Sequence, residues 1–163
     1  MKEIPLSRGM VALVDDEDSE DLSRFKWYAH PTHHTFYAAR GIRLNGKHII
    51  EMMHRRILDV EPGELVDHKN HNGIDNRREN IRTCTVAENA KNRLKRTSAS
   101  SRFKGVCWDA INKKWKASIK LNKKLRHIGL FADEEDAARA YDREAVKTFG
   151  AFRCLNFQEE PCG

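Results

Sequence analysis

The sequence lacks the features that mark secreted and membrane-embedded proteins. No apolar run in the 163 residues approaches the roughly 18 to 20 residues that cross a bilayer. The first ten residues, MKEIPLSRGM, contain neither an apolar core nor a basic lead segment. Cysteine is scarce as well: its four residues form no C-x-x-C pair, which excludes a disulfide-dense scaffold and argues against a structural zinc site. We therefore expect reduced thiols in a protein that is neither secreted nor held in a membrane.

Acidic residues are nearly absent from one stretch of the chain. Between residues 91 and 126 there are 13 lysines and arginines but a single acidic residue, Asp109. Residues 1–90 are balanced instead, with 13 basic and 15 acidic side chains, although the whole chain has a net charge of +6. Such a one-sided stretch favours a polyanionic partner. Nucleic acid is the first choice, and an acidic protein surface or an anionic membrane are the alternatives.

The chain is long enough for one ordinary domain or two small ones, and its patterns predict two. The first sixty residues indicate strands and turns, among which Asn45-Gly46 is typical of a tight type I′ hairpin turn. The acidic run 15–21 is predicted to be a solvated turn, with cation binding as the alternative. The predicted organisation is a β-rich lead segment and a polar site region over residues 1–92, a Ser/Thr/Ala-rich linker over 93–101, and a second domain over 102–160.

The second domain is predicted to be a three-stranded antiparallel sheet packed on one helix, so the fold class is α+β. Asp133 is the expected N-cap of the helix, and Gly150 is its expected C-terminal stop. The strand-like runs cover about 103–108, 115–121 and 125–131, and the helix face expected against the sheet consists of Ala137, Ala138, Tyr141, Ala145 and Val146.

The middle strand of that sheet is predicted to be apolar on one face and basic on the other, because side chains alternate along a strand. The apolar face has Trp115, Ala117, Ile119 and Leu121, and the basic face has Lys116, Ser118, Lys120 and Asn122. We expect the helix to cover the apolar face. The basic face then remains free, at a width suited to a DNA major groove.

Residues 64–92 have few apolar positions and many Asp, Asn, His and Arg residues, which is typical of a functional site. Asp67-His68 precedes an Asn-rich loop, Asn80 follows it, and Asn89 comes nine residues later. Asp and Asn oxygens are hard ligands suited to Mg²⁺, and an unligated histidine can act as a base. This combination suits phosphodiester hydrolysis, in which water loses a proton and charge on the phosphate must be neutralised.

Four pieces in this region and shortly before it resemble, in order, the motif of the homing-type HNH nucleases, which have a ββα-metal fold. The pieces are His54-Arg55, VDHKN at 66–70, DNRRENIR at 75–82 and TVAEN at 85–89. The resemblance implies that His68 is the general base and that Asp67 and Asn89 hold one divalent cation. It also implies that Asn80 pins the loop and holds His68 in orientation. An Asn ligand favours Mg²⁺ or Mn²⁺ over zinc.

Some assignments in this region have alternatives. Asn72 or Asn92 could take the place of Asn89 as a ligand. His54 either contacts phosphate or packs beneath the motif. His68 and His71 have a spacing that could suggest a zinc pair, but they lack cysteine partners, so no structural zinc is expected.

The second domain resembles the APETALA2/ethylene-response-factor DNA-binding domain, which also occurs joined to HNH nucleases in mobile genetic elements. The matching pieces are 104–106 (KGV), 115–119, 128–131 (IGLF), 137–142 (AARAYD) and 155–157 (LNF). Cys107, Ser118 and His127 stand where Arg, Glu and Trp are common in the plant members, so the plant target sequence does not transfer. The residues expected to face DNA are Lys104, Trp108, Lys116, Ser118, Lys120, Arg126 and His127, with Trp108 either stacking on sugar or lying in the core.

These features together predict a site-specific DNA endonuclease of the homing type that nicks one strand of double-stranded DNA per active centre. We expect a monomer or weak dimer, in the cytoplasm of a bacterial or phage-infected cell. The leading alternative is a DNA-binding regulator whose nuclease motif is silent. A protein that binds or cleaves RNA is less favoured, because readers of single strands usually display several exposed aromatic residues.

Overall fold

The computed structural model describes residues 1–94, 100–122 and 124–157, and it confirms an α+β fold with several small antiparallel sheets. The chain divides into two compact units, Met1–Asn89 and Ala90–Gly163. Residues 95–99 of the predicted linker and the last three residues of the predicted second domain lie outside the described residues. Within the described ranges, no helix is long and apolar enough to cross a bilayer.

The first unit has three small antiparallel sheets joined by short helices. The sheets pair β1 with β2, order β3, β4 and β5 side by side, and pair β6 with β7. Their strands and the helices between them are β1 (Lys2–Pro5), β2 (Val11–Val14), α1 (Asp16–Ser23), β3 (Tyr28–Pro31), β4 (Phe36–Leu44), β5 (Lys47–Met52), α2 (Met53–Leu58), β6 (Leu65–His68), β7 (Ile81–Cys84) and α3 (Val86–Asn92). The core of the unit includes Val14, Leu22, Trp27, Ala38, Met53 and Ile81.

The predicted hairpin turn at Asn45-Gly46 is confirmed between β4 and β5. Both residues have positive φ, 49° and 75°, and Leu44 pairs with Lys47 across the turn. A type I′ turn requires positive φ at both central positions, which Asn and Gly adopt at low cost. A two-residue pattern was therefore sufficient to fix this turn and the register of the strands beside it.

The acidic run 15–21 was predicted to be a turn, but it forms most of helix α1. Three acidic side chains lie in the first turn of this helix, where the helix dipole favours negative charge. Basic side chains from distant parts of the unit neutralise the run: Arg78 donates to Asp18 at 2.7 Å, and Arg56 donates to Asp21 at 2.7 Å. Leu22 anchors the helix in the core. The prediction of a turn was wrong, and these two partners lie far away in the sequence, where local patterns do not reveal them.

The second unit is a three-stranded antiparallel sheet with one long helix against it. Its elements are β8 (Val106–Asp109), β9 (Lys114–Leu121), β10 (Lys124–Phe131) and α4 (Glu134–Phe149), with β9 in the middle of the sheet. The Asp133 cap is confirmed, since its side chain accepts hydrogen bonds from the backbone N–H groups of Glu135 and Asp136. Of the predicted helix face, Ala137, Ala138, Tyr141 and Ala145 are buried, whereas Val146 is 41% exposed.

The residues after α4 hold the segment that precedes β8. The Asn156 carboxamide accepts a hydrogen bond from the backbone N–H of Lys104 and donates one to its carbonyl at 3.1 Å. The same Asn156 group donates to Asp142 of α4 at 3.0 Å. Asn156 therefore links the backbone just before β8 to helix α4. This gives the sequence LNF at 155–157 a structural role.

Replacing Gly105 with alanine is expected to destabilise the second unit by about 3 kcal/mol, because two costs coincide there. Gly105 has φ of +77°, and a Cβ atom at this position would lie 2.0 Å from the Tyr141 ring and 2.8 Å from the Ser118 carbonyl oxygen. The measurement is chemical denaturation followed by circular dichroism. Gly150→Ala is the matched control: Gly150 has φ of +52° with open space around it, so only the backbone strain remains and its cost should be smaller. Equal losses for the two variants would contradict the steric argument.

Candidate functional site

The region with the predicted motif folds as two strands followed by a helix. Strands β6 and β7 pair so that Asp67 lies opposite Arg82 and His68 lies opposite Ile81. Helix α3 begins after Thr85, whose hydroxyl accepts a hydrogen bond from the backbone N–H of Glu88 at 3.2 Å. The Glu88 carboxylate in turn accepts from the Thr85 backbone N–H at 2.8 Å. This reciprocal pair is a capping box, so the T-x-x-E part of the motif serves to start the helix.

Asp67 is buried and ion-paired. It is 7% exposed, and its Oδ2 atom accepts hydrogen bonds from Nε and Nη2 of Arg82 at 3.0 and 2.7 Å. The pair forms because residues opposite each other on neighbouring strands project from the same face of the sheet. A cation at Asp67 would therefore share the carboxylate with a guanidinium.

Asn89 lies in the second turn of α3 and is half-buried. Its backbone N–H donates to the Thr85 carbonyl at 2.9 Å, but within the described part of the chain its carboxamide makes no hydrogen bond. The two alternative ligands are placed differently. Asn72 Oδ1 accepts from the backbone N–H of Ile74 at 3.3 Å, and Asn92 is only 2% exposed. Of these three residues, Asn89 presents the most accessible uncommitted oxygen.

The predicted ligands fit a hard divalent cation by their chemistry. Asp67 supplies a carboxylate oxygen and Asn89 a carboxamide oxygen, the donor types that Mg²⁺ and Mn²⁺ prefer. Among the residues that the structure describes, no group of three or more His, Cys, Asp and Glu side chains is placed to hold a metal ion. A cation bound here would therefore keep several water or phosphate oxygens as ligands, as Mg²⁺ commonly does.

His68 packs between the rings of buried His54 and half-buried Tyr37. It is 5% exposed, its ring centroid lies 5.0 Å from that of His54 and 5.5 Å from that of Tyr37, and its Nε2 atom lies 3.2 Å from Oδ1 of Asn76. Burial lowers the pKa of His68 below its usual value, although the hydrogen bond with Asn76 opposes this shift. The ring is therefore neutral at pH 7, which is the state that a base requires.

His54 packs beneath the motif. It is 8% exposed, and its buried Nδ1 atom has no hydrogen-bond partner. Burial, with a smaller contribution from His68, lowers the pKa of His54 to about 3. A neutral, enclosed ring is a packing group, so the structure favours the packing alternative over contact with phosphate.

Asn80 holds the loop between β6 and β7. Its Oδ1 atom accepts from the backbone N–H of Asn70 at 3.0 Å, and its Nδ2 atom donates to the carbonyl of Asp75 at 2.7 Å. These bonds correspond to the loop-pinning role that the resemblance implies. The carboxamide that contacts the His68 ring, however, belongs to Asn76. Asn76 is therefore a second candidate for orienting His68, the role that the resemblance implies for Asn80.

The sequence reasoning assigned no role to two buried residues in this loop, Asp75 and Asn76, which are 2% and 0% exposed. Asp75 accepts from Arg77 through both carboxylate oxygens, each at 2.8 Å, and from Asn70 at 2.8 Å. The bonds from Arg77 are the main cause that lowers the pKa of Asp75. In the sequence, these two residues could be noticed only from their place in the string DNRREN. That string does not distinguish a buried structural residue from a catalytic one.

The register of the second sheet divides the residues predicted to face DNA. The outer face, defined here as the side away from α4, includes Lys116, Ser118, Lys120 and His127, and His127 lies opposite Ser118. Arg126 lies opposite buried Ile119, on the helix side, and forms an ion pair with Glu144 of α4. The expectation of one common face is therefore corrected for Arg126.

Trp108 and Lys104 also lie apart from the outer face. Trp108 pairs with Trp115 across β8 and β9, its ring meets that of Trp115 edge-on at 5.0 Å, and it remains 43% exposed. Lys104 precedes β8, and its ammonium group donates to the backbone carbonyls of Lys91 and Arg93. Burial lowers the pKa of Lys104. Its ammonium group is thus committed to two backbone carbonyls.

Comparison with known proteins gives one match over most of the chain and several short ones. No family model matches. An uncharacterized HNH endonuclease of Acanthamoeba polyphaga mimivirus is 28% identical over 151 residues, which are 91% of this chain and 76% of that protein. An ethylene-responsive transcription factor-like protein of Arabidopsis thaliana is 56% identical over 34 residues, 21% of this chain and 15% of that protein. An APETALA2-like protein of Oryza sativa is 41% identical over 61 residues, 36% of this chain and 14% of that protein.

Proposed function

We propose that this chain is a metal-dependent endonuclease that hydrolyses phosphodiester bonds of double-stranded DNA. The observation that carries the proposal is the buried His68 next to Asp67, on a strand pair followed by the helix that bears Asn89. The similarity to an HNH endonuclease over 91% of the chain supports nuclease activity in general. The finer parts of the proposal are homing-type site specificity and the nicking of one strand per active centre, by a monomer or weak dimer in the cytoplasm.

In the proposed mechanism His68 takes the proton from the attacking water. Its ring can do so at neutral pH because burial keeps it uncharged. Asp67 and Asn89 would hold a divalent cation, most simply Mg²⁺, which when bound stabilises negative charge on the phosphate. Asn80 keeps the loop closed through its bonds to Asn70 and Asp75. The contacts of these side chains are thus compatible with the roles proposed for them.

The second unit is proposed to hold the duplex. The similarity of parts of the chain to plant transcription-factor proteins supports DNA binding, as does the excess of basic residues between 91 and 126. On the outer face, Lys116 and Lys120 can pair with phosphates, while Ser118 and His127 lie opposite each other between them. Cys107 is opposite Lys116 on the same face, so this surface differs chemically from the Arg/Glu/Trp face of the plant domains.

DNA affinity is expected to fall by about 10³-fold between 50 and 200 mM salt if about six phosphates are neutralised. The measurement is fluorescence anisotropy of a labelled duplex across that salt range. Lys120→Gln should reduce the slope of log affinity against log salt by about one. Lys147→Gln is the matched control: it removes the same charge from an exposed position of the same unit, but on α4. A flat salt response would exclude phosphate-driven binding.

The proposal is tested by incubating the full chain with supercoiled plasmid and Mg²⁺. Nicking converts the supercoil to relaxed circles, EDTA prevents it, and linear product would indicate cleavage of both strands. Competition between duplex DNA and RNA of the same sequence separates a DNA enzyme from an RNA enzyme. The absence of any cleavage with Mg²⁺ or Mn²⁺, despite tight binding to DNA, would overturn the enzymatic proposal.

The second candidate function is a DNA-binding regulator with a silent nuclease motif. The ion pair of Asp67 with Arg82 favours it, since a guanidinium already neutralises the carboxylate that the cation would need. For this candidate, Arg82→Met should change neither DNA affinity nor nicking, since there is no nicking to change. For an active nuclease, Arg82→Met should change the Mg²⁺ concentration at which nicking is half-maximal.

A further inference from the structure

Strand β5 is an open edge of its sheet. The sheet has the order β3, β4, β5, so within the described residues β5 pairs on one side only. Its pairing with β4 runs from Lys47 to Met52 without a bulge. Two of its apolar side chains are well exposed, Ile49 at 40% and Ile50 at 53%. A regular edge strand with exposed apolar side chains is a surface to which another strand can be added.

The opposite edge of the same sheet is protected against such addition. Strand β3 ends at Pro31, which has no N–H group to donate. The backbone N–H of Ala29 in β3 is already used, since it donates to the hydroxyl of Ser7 at 3.1 Å. Strand β5 contains no proline and no bulge. Strand addition to this sheet is therefore expected at β5 and not at β3.

The two-residue turn between β4 and β5 fixes which backbone groups of β5 point outward. Lys47 flanks the turn and is joined to β4 by the hydrogen bond that closes it. Bonding alternates along an antiparallel strand, so Ile49 also bonds to β4. His48 and Ile50 then point their N–H and C=O groups away from β4. These two residues offer donors and acceptors to a further strand.

The side chains of β5 complement those of a second β5 strand that lies antiparallel to it. A two-fold alignment centred on Ile49 places Lys47 of each copy opposite Glu51 of the other. Within the described part of the chain Lys47 has no ion-pair partner, and the Glu51 side chain remains 21% exposed despite its own ion pairs. The same alignment sets His48 opposite Ile50, so the outward backbone groups of the two copies face each other. An alignment centred on Ile50 would instead set Glu51 against Ile49.

We propose that β5 is a dimer interface: two copies of this chain join their β5 strands antiparallel, centred on Ile49, and so combine two three-stranded sheets into one. The partner is a second copy because the charges of the strand match its own sequence in reverse. This inference goes beyond the proposed nuclease function and does not depend on it, since association is measured without DNA. One strand pair buries less than the roughly 1,600 Å² of a standard interface, so the dimer is weak.

Association is tested by sedimentation velocity of the full chain between about 1 and 200 μM. We expect a monomer–dimer equilibrium with a dissociation constant on the order of 10 μM. Lys47→Glu brings two carboxylates together at each end of the strand pair and should weaken the dimer about tenfold. Lys26→Glu is the matched control: it makes the same charge change at an exposed position of the same unit and should leave the constant unchanged. A wild-type chain that stays monomeric over the whole range would overturn the proposal.

The register is tested by oxidative cross-linking of Ile49→Cys. In the proposed dimer residue 49 faces its own copy, with the Cα atoms about 4.5 Å apart, a separation that a disulfide can span. Ile50→Cys is the matched control, because the two copies of residue 50 lie roughly 7 to 8 Å apart and should not be linked. Mass spectrometry of the linked peptides separates these products from links through the native cysteines. A dimer that is insensitive to Lys47→Glu and does not link through residue 49 would place the interface elsewhere.

Discussion

Substitution of His68 by alanine is expected to lower the rate of DNA cleavage by about 10³-fold and to leave the affinity for duplex DNA nearly unchanged. The proposed base would be absent, and the buried histidine that packs against it, His54, has a pKa of about 3, which makes it a much weaker base. The measurement is single-turnover nicking of supercoiled plasmid, with DNA affinity from fluorescence anisotropy. The second unit, which is proposed to bind DNA, does not contain His68 and should be unaffected.

The matched control for this substitution is His34→Ala. His34 is an exposed histidine of the same unit, and its removal should leave the cleavage rate within about twofold of the wild-type rate. The His68→Ala protein must also retain its far-ultraviolet circular dichroism, because the missing ring leaves space beside Tyr37 and His54. A folded His68→Ala protein that cleaves at the wild-type rate would show that the base is elsewhere.

Substitution of Asp67 by asparagine is expected to lower cleavage by about 10³-fold at low millimolar Mg²⁺, which corresponds to about 4 kcal/mol. The change keeps the shape and one oxygen of the side chain but removes the charge that would attract the cation. More Mg²⁺ should restore part of the activity, because the defect lies in binding the ion. The measurement is the nicking rate as a function of Mg²⁺ concentration, from micromolar to tens of millimolar.

This substitution also leaves Arg82 without its anionic partner, and that effect must be separated from the loss of the ligand. The two side chains are 8% and 12% exposed, so breaking the pair should reduce the stability of the first unit as well. The double variant Asp67→Asn with Arg82→Met removes the unpaired charge and should recover stability without recovering cleavage. Asp59→Asn removes an exposed carboxylate of the same unit and should leave the Mg²⁺ dependence unchanged. Equal cleavage by Asp67→Asn and Asp59→Asn would remove Asp67 from the proposed site.

Local sequence patterns predicted those parts of the fold that depend on residues close together in the chain. Asn45 and Gly46 tolerate positive φ and fixed a hairpin, and Asp133 could cap a helix wherever one began. The acidic run before Leu22 was predicted wrongly for the opposite reason. Its like charges favour an open turn in isolation, whereas in the folded unit Arg56 and Arg78, which approach from later in the chain, pair with Asp21 and Asp18 of α1.

The same distinction applies to the candidate site. The candidate residues Asp67, His68, Asn80 and Asn89 were predicted from residue types, their spacing and the resemblance to a known motif. Their contacts could not be found in this way. Asn76 and Asn80 are both asparagines of one polar loop, and nothing in the string DNRREN indicates which carboxamide meets the His68 ring.

The sequence by itself determined the α+β class and the concentration of basic charge in one part of the chain, and it predicted the candidate residues of the site. These properties depend on residue type and on periodicity over a few positions. The tertiary structure alone decided that Arg82 pairs with Asp67, that the Asn76 carboxamide contacts the His68 ring, and that Arg126 belongs to the helix side of its sheet. Strand register and loop closure set those contacts. Both depend on the packing of segments that are distant in the chain, which no short stretch of sequence specifies.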